Sequence, residues 1–180
     1  MNYEYGVTGE VDFHLDESLD KFVMFGSGRF APLKDQRNEV GIVANYGNIK
    51  IKIYSKTKQA ALSQIYRPKE KEMVRVEFKE DRLSRSMPCR TVEEFGKPST
   101  WDMMDEKLKD NFRKVLFIDP NLNGSTLKDR VIIQRADYFN IVDLARRDAR
   151  AYRQFRDKYN ILAIDSIGGV MRELNRLLSP

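Results

Sequence analysis

Hydrophobic and polar positions alternate strictly in two stretches near the middle of the chain. In the first, Ile49, Ile51 and Ile53 fall on one side and Lys50, Lys52, Tyr54 and Lys56 on the other. In the second, Val74, Val76 and Phe78 fall on one side and Arg75, Glu77 and Lys79 on the other. A period of two predicts strands with one buried face. Paired, they would present five cations with one tyrosine and one carboxylate. Such faces are often only solvated, and lysines blunt sheet edges. The sharper reading is a phosphate-binding platform with one acid placed for chemistry.

The same pattern predicts the other elements. Residues 5–15 alternate, with Val7, Gly9, Val11, Phe13 and Leu15 opposite Glu10, Asp12 and His14. Short apolar runs predict strands at 21–25 and 39–44, and Pro32 among charges predicts a loop over 31–37. Asn45-Tyr-Gly-Asn48 marks a hairpin turn. A short helix is expected over 57–65, a capping box at Thr91-Val-Glu-Glu94, and an amphipathic helix over 100–115 through Trp101, Met104, Leu108, Phe112 and Val115. Residues 131–133 fit either a strand or the start of a helix. The longest expected helix spans 139–159, with Ile141, Ala145, Ala149, Tyr152, Phe155 and Tyr159 on one stripe. Arg146, Arg147, Arg150, Arg153 and Lys158 lie opposite, with no acid among them. Asp165-Ser166 can cap a last helix through Ile167, Val170, Met171, Leu174 and Leu178, which with its predecessor would form a helix-turn-helix-like pair. Strands first and helices second predict an α+β fold: an antiparallel sheet with packed helices and a C-terminal helical segment. A strand-rich region at 1–98 and a helical region at 99–180 are expected to form one compact unit.

At 180 residues the chain suits one domain with a sizeable core. Its net charge of +5 and pI near 9.2 permit nucleic acid or an anionic surface as partner. The single cysteine, Cys89, excludes an internal disulfide framework and a cysteine-based zinc site, and fits a cytoplasmic location. No secretory signal is visible at the N-terminus and no apolar run is long enough to span a bilayer, so no membrane partner is expected. No glycine-rich phosphate loop is present, because Gly26-Ser-Gly28 lacks the spacing.

Ile51-Lys-Ile-Tyr-Ser-Lys56, roughly twenty residues of helix or loop, then Val74-Arg-Val-Glu-Phe78 resembles the strand pair of rolling-circle replication initiators of filamentous phages and small plasmids. The following basic stretch, short helix and second helix are similar as well, so the resemblance covers roughly residues 40–120. It implies site-specific nicking of DNA, single-stranded or hairpin, by a tyrosine with a divalent metal. The family commonly carries a His-hydrophobic-His metal motif. Here Asp12-Phe13-His14 stands as a partial substitute, and His14 is the only histidine.

Asp12 and His14, two apart on an expected strand, with Glu77 on another, offer a ligand set suited to Mg²⁺ or Mn²⁺. Ordinary cross-strand pairing of these acids with lysine and arginine is the alternative. Tyr138 stands about where the resemblance implies a nucleophile, at the start of a basic helix. It could equally be a packing tyrosine. Tyr54 is the rival nucleophile, or a stacking platform for a base. Lys50, Lys52, Lys56, Arg75 and Lys79, with Arg146, Arg147, Arg150 and Arg153, are the expected phosphate contacts. Changing Lys50 and Lys52 to Glu should weaken binding more than stability, since both point outward. Three functions remain open: a nicking initiator, a non-catalytic DNA-binding regulator or truncated initiator, and a protein-interaction module acting on a host enzyme.

Overall fold

A computed structural model describes residues 3–63, 71–80, 91–119 and 122–160, together with Arg172. The protein is α+β. Its larger sheet is built from β1 (Tyr3–Val11), β4 (Ala31–Asp35), β5 (Asn38–Tyr46), β6 (Ile49–Ser55) and β7 (Glu72–Glu80); the numbering also counts β2 (Phe22–Phe25) and β3 (Gly28–Arg29). The order is β1-β7-β6-β5-β4, and every neighbouring pair is antiparallel. The two alternating stretches therefore pair directly, with Ile51 opposite Phe78 and Ile53 opposite Val76. All four are fully buried, as the period of two requires. The hairpin between β5 and β6 turns at Gly47, whose φ of +61° favours glycine.

A second, three-stranded sheet has β2 at its centre, between β3 and β8 (Val115–Phe117). Opposite Leu116, β2 carries a bulge that places two residues against one. This breaks the period of two. Phe22 and Phe25 both join the core shared with the large sheet, while Val23 and Met24 both join a second core under the C-terminal helices. The layers are thus the large sheet, the small sheet and the helices α4 (Leu127–Gln134), α5 (Tyr138–Arg147) and α6 (Ala149–Tyr159); earlier helices are α1 (Lys56–Leu62), α2 (Val92–Phe95) and α3 (Pro98–Phe112). Helix α3 inserts Met104, Leu108 and Phe112 into the first core. The expected division near residue 98 coincides with the start of α3, yet β8 pairs back onto β2, so the two regions share one core.

Several expectations are corrected. The first strand stops at Val11, because its partner β7 begins at Glu72, opposite it. Phe13 and Leu15 stay buried outside the strand, and the Glu72 carboxylate accepts from Leu15 N at 3.1 Å in place of a ladder bond. Residues Leu15–Lys21 form a 3-10 helix. The stretch 31–35 is a strand rather than a loop; Pro32 is tolerated because β4 is an edge. Helix α3 ends at Phe112, Val115 belongs to β8, and Trp101 is 56% exposed instead of lying on the buried stripe. Residues 131–133 are helical, within α4. The single helix expected over 139–159 is two helices, broken at Asp148 (φ −147°, ψ 83°), whose side chain caps α6 by accepting from Ala151 N. The capping box at Thr91 is present as expected. The expected last helix and its helix-turn-helix-like connection lie outside the described residues. Among the described residues, no helix is long and apolar enough to cross a membrane.

Candidate nucleic-acid interface

The outward face of the large sheet gathers Lys50, Lys52 and Tyr54 from β6, Arg75, Glu77 and Lys79 from β7, and Glu4 and Gly6 from β1. Glu77 lies at its centre, directly opposite Lys52 on one side and Gly6 on the other. Its carboxylate accepts from Lys52 Nζ at 2.6 Å, Arg75 Nε at 3.0 Å and Tyr54 OH at 3.2 Å. Both Glu77 and Tyr54 are only 5% exposed, although they stand on the outer face. Burial alone would raise the Glu77 pKa, but the Lys52 hydrogen bond and the Lys52 and Arg75 charges outweigh it and hold the carboxyl below its ordinary value. Lys52 also lies 3.5 Å from Glu4, and Lys79 lies 3.9 Å from the same carboxylate. Cross-strand pairing thus neutralises much of the expected platform. Lys50 and Lys79 remain directly opposed. Lys56 is not on the strand face: it opens α1, stands 5.3 Å over the Tyr54 ring and donates to Gln59.

The expected metal ligands are not brought together. Asp12 is bonded by Lys71 at 2.8 Å, and His14 is 81% exposed with Nδ1 3.4 Å from Glu72. Both lie beyond the end of β1, beside Glu72, while Glu77 is five residues further along β7. At about 3.3 Å per residue, that separates them by roughly 17 Å. Among the described residues no three potential ligands converge.

The two tyrosines are also apart. Burial, then the Glu77 charge, push the Tyr54 phenol up to about 12. Tyr138 opens α5 and donates to Ser27 O at 3.1 Å, in the turn between β2 and β3. It packs against the second core, which contains no residue of β6 or β7, the strands that carry the Glu77 face. Tyr152 and Tyr159, read as core residues, belong to that second core too.

Of the expected arginine surface, Arg146, Arg147, Arg150 and Arg153 are all exposed. Arg147 pairs with Asp143 at 2.9 Å, and Lys158 reaches Ser125 and Asp129, so these two are not acid-free as expected. Among the described residues Arg146, Arg150 and Arg153 have no acid within salt-bridge reach. Arg146 stands in the last turn of α5 and Arg150 in the first turn of α6, on either side of the break.

Two groups of residues escaped the sequence reading. Glu4 belongs to the Glu77 network, and only strand order could place β1 beside β7. Tyr5 OH donates to Glu80 at 2.9 Å, with Lys107 on the other Glu80 oxygen at 2.9 Å and the Asn111 amide 2.6 Å from the phenol oxygen. This buried cluster joins β1, β7 and α3, which no local pattern connects. No family model matches the chain, and no curated protein matches it. The resemblance to rolling-circle initiators rests on the short sequence motifs within residues 40–120 alone.

Proposed function

We propose that this protein is a cytoplasmic nucleic-acid-binding protein that works by binding, not by strand cutting. The observation that carries the reading is the trio Arg146, Arg150 and Arg153, exposed around the α5–α6 break with no acidic partner among the described residues. Arginine is the side chain best suited to phosphate oxygens, which it can grip through two parallel N–H bonds. The outer sheet face contributes less, because Glu77 and Glu4 already hold Lys52, Arg75 and Lys79. The motif resemblance favours DNA as the nucleic acid. Nicking is the weaker reading. A phenol must lose its proton to attack phosphorus, and at Tyr54 burial, then the Glu77 charge, oppose that loss. Tyr138 stands apart from every expected metal ligand.

Two measurements test the proposal. Binding to DNA should weaken steeply as salt rises, because each phosphate neutralised contributes about 0.9 to the slope of log K against log salt on a duplex. Incubation with single-stranded and hairpin DNA plus Mn²⁺ should give no nicks and no covalent adduct. Affinity that stays flat with salt would sink the binding reading, and a phosphotyrosyl adduct would restore the nicking one.

A further inference from the structure

We propose that a cleft beside α6 takes one nucleotide of a single-stranded nucleic acid, with its base against Tyr46 and its phosphates on Arg113, Lys114 and Arg156; this rests on the nucleic-acid reading above. The cleft has a volume of about 590 Å³, within the range of about 300–1,000 Å³ usual for small-ligand sites. Its walls come from four places in the fold: the β2–β3 turn at Gly26, the β5–β6 hairpin at Tyr46, the turn between α3 and β8, and α6.

Tyr46 is 42% exposed, yet it is held in place. Its ring meets Phe25 edge-on at 6.0 Å between centroids. It also lies so close to Gly26 that a side chain there would fall 2.4 Å from a ring carbon. Gly26 further needs its φ of +57°. The turn therefore keeps the tyrosine seated while much of the ring stays in solvent. An exposed aromatic face held in this way is what an unpaired base stacks on.

The charge around the ring is complementary to phosphate. Among the described residues, Arg113, Lys114 and Arg156 line the cleft against one carboxylate, Asp157. Arg113 pairs with Asp110 at 3.1 Å, Arg156 with Asp157 at 2.8 Å, and Lys114 donates to the Asn111 amide at 2.6 Å. All three cations are exposed, and the ion pairs of Arg113 and Arg156 are exposed pairs that hold weakly, so a phosphate can displace Asp110 and Asp157 from them. Helix α6 carries Tyr152 and Arg156 into the cleft and Arg150 and Arg153 on its exposed surface. Arg153 and Arg156 are neighbours three apart on the helix surface, so a strand held at Arg153 is close to the cleft. A duplex keeps its bases stacked and paired, so only a single strand can offer one to a concave site.

Fluorescence anisotropy with a labelled short oligothymidylate, and with a duplex of the same length, tests this. Tyr46→Leu should weaken single-strand binding by about 5-fold to 150-fold, the range for loss of one base–aromatic stack. Its duplex affinity and salt slope should stay as in the unaltered protein. Arg150→Ala with Arg153→Ala should weaken both ligands. If the arginine pair matters and Tyr46→Leu binds the single strand normally, the cleft proposal is overturned and the arginine surface stands. If the unaltered protein binds neither ligand, both readings fall. Irradiation with an iododeoxyuridine-containing oligomer guards against misfolding of the variant. An adduct at Tyr46 or Tyr152 supports the cleft, and adducts confined to other sites overturn it.

Discussion

Lys52 Nζ stands 2.6 Å from Glu77 Oε1, across β6 and β7, at directly opposed positions of the ladder. The acid that looked placed for chemistry is thereby the tie between two central strands. It also anchors Arg75 and the Tyr54 phenol, so three side chains of the outer face depend on one carboxylate.

Glu77→Gln should therefore lower stability by about 1–3 kcal/mol, since the charge-assisted bonds are lost but Lys52 and Arg75 can still reach water. The pH dependence has a definite sign. The Glu77 carboxyl lies below its ordinary value, so its contribution is complete above the unfolded pKa of about 4.3 and is lost as pH falls through the lower folded value. Urea unfolding should show a steeper loss below that pH for the unaltered protein than for Glu77→Gln. Equal curves for the two proteins would return Glu77 to the pool of candidate functional residues.

Tyr54 and Tyr5 carry the opposite dependence. Burial, then the Glu77 charge, raise Tyr54 to about 12; burial, then the Glu80 charge, raise Tyr5 as well. Folding favours their neutral forms, so that contribution is complete below the unfolded pKa of about 10 and disappears as pH rises above it. A spectrophotometric titration of phenolate should show Tyr5, Tyr54 and Tyr152, which burial also raises, titrating late, coincident with alkaline unfolding. Tyr5→Phe should remove one of them. It should also cost about 1–3 kcal/mol, because Glu80 and Asn111 lose a buried partner.

The fold was largely legible because period-two and helical patterns report burial well. Ile51, Ile53, Val74, Val76 and Phe78 are buried as their alternation requires. The failures occur where burial and conformation part company. Phe13 and Leu15 continue the alternating burial after the strand has lost its partner, and the bulge in β2 turns Val23 and Met24 to the same side. The outer sheet face was legible as a list of residues but not as a network. Register alone reveals that Glu77 faces Lys52 and that Glu4 joins them. The Tyr46 cleft was invisible, because its walls come from stretches more than a hundred residues apart in sequence, from Gly26 to Arg156.

Asp148 separates α5 from α6, and its carboxylate accepts from Ala151 N at 2.9 Å. Asp148→Ala removes that cap, which costs about 1 kcal/mol at a typical helix start. Alanine is also the best helix former, so the variant should run the two helices together more readily. Circular dichroism should show more helix together with a lower melting temperature. The second core should suffer, since Ile141 and Phe155 reach it from either side of the break. A variant that is more helical and no less stable would show that the break contributes nothing to packing.

The two central lysines should respond differently to charge reversal. Lys52→Glu places an acid opposite Glu77 and beside Glu4, so it should destabilise the protein by about 1–3 kcal/mol, contrary to the simple expectation for an outward-pointing lysine. Lys50 instead faces Lys79, so Lys50→Glu relieves a like-charge contact and should leave stability unchanged or slightly raised. The same pair separates the two surfaces available to nucleic acid. If the α5–α6 arginines carry binding, Lys50→Glu should change the salt slope by less than about 0.9, the value of one phosphate contact. Replacing Arg146, Arg150 and Arg153 with Ala should lower the slope by about two to three such contacts. Thermal melts and salt titrations of these variants measure both effects. A Lys50→Glu protein that keeps its melting temperature and loses most of its affinity would move the interface from the helices to the sheet.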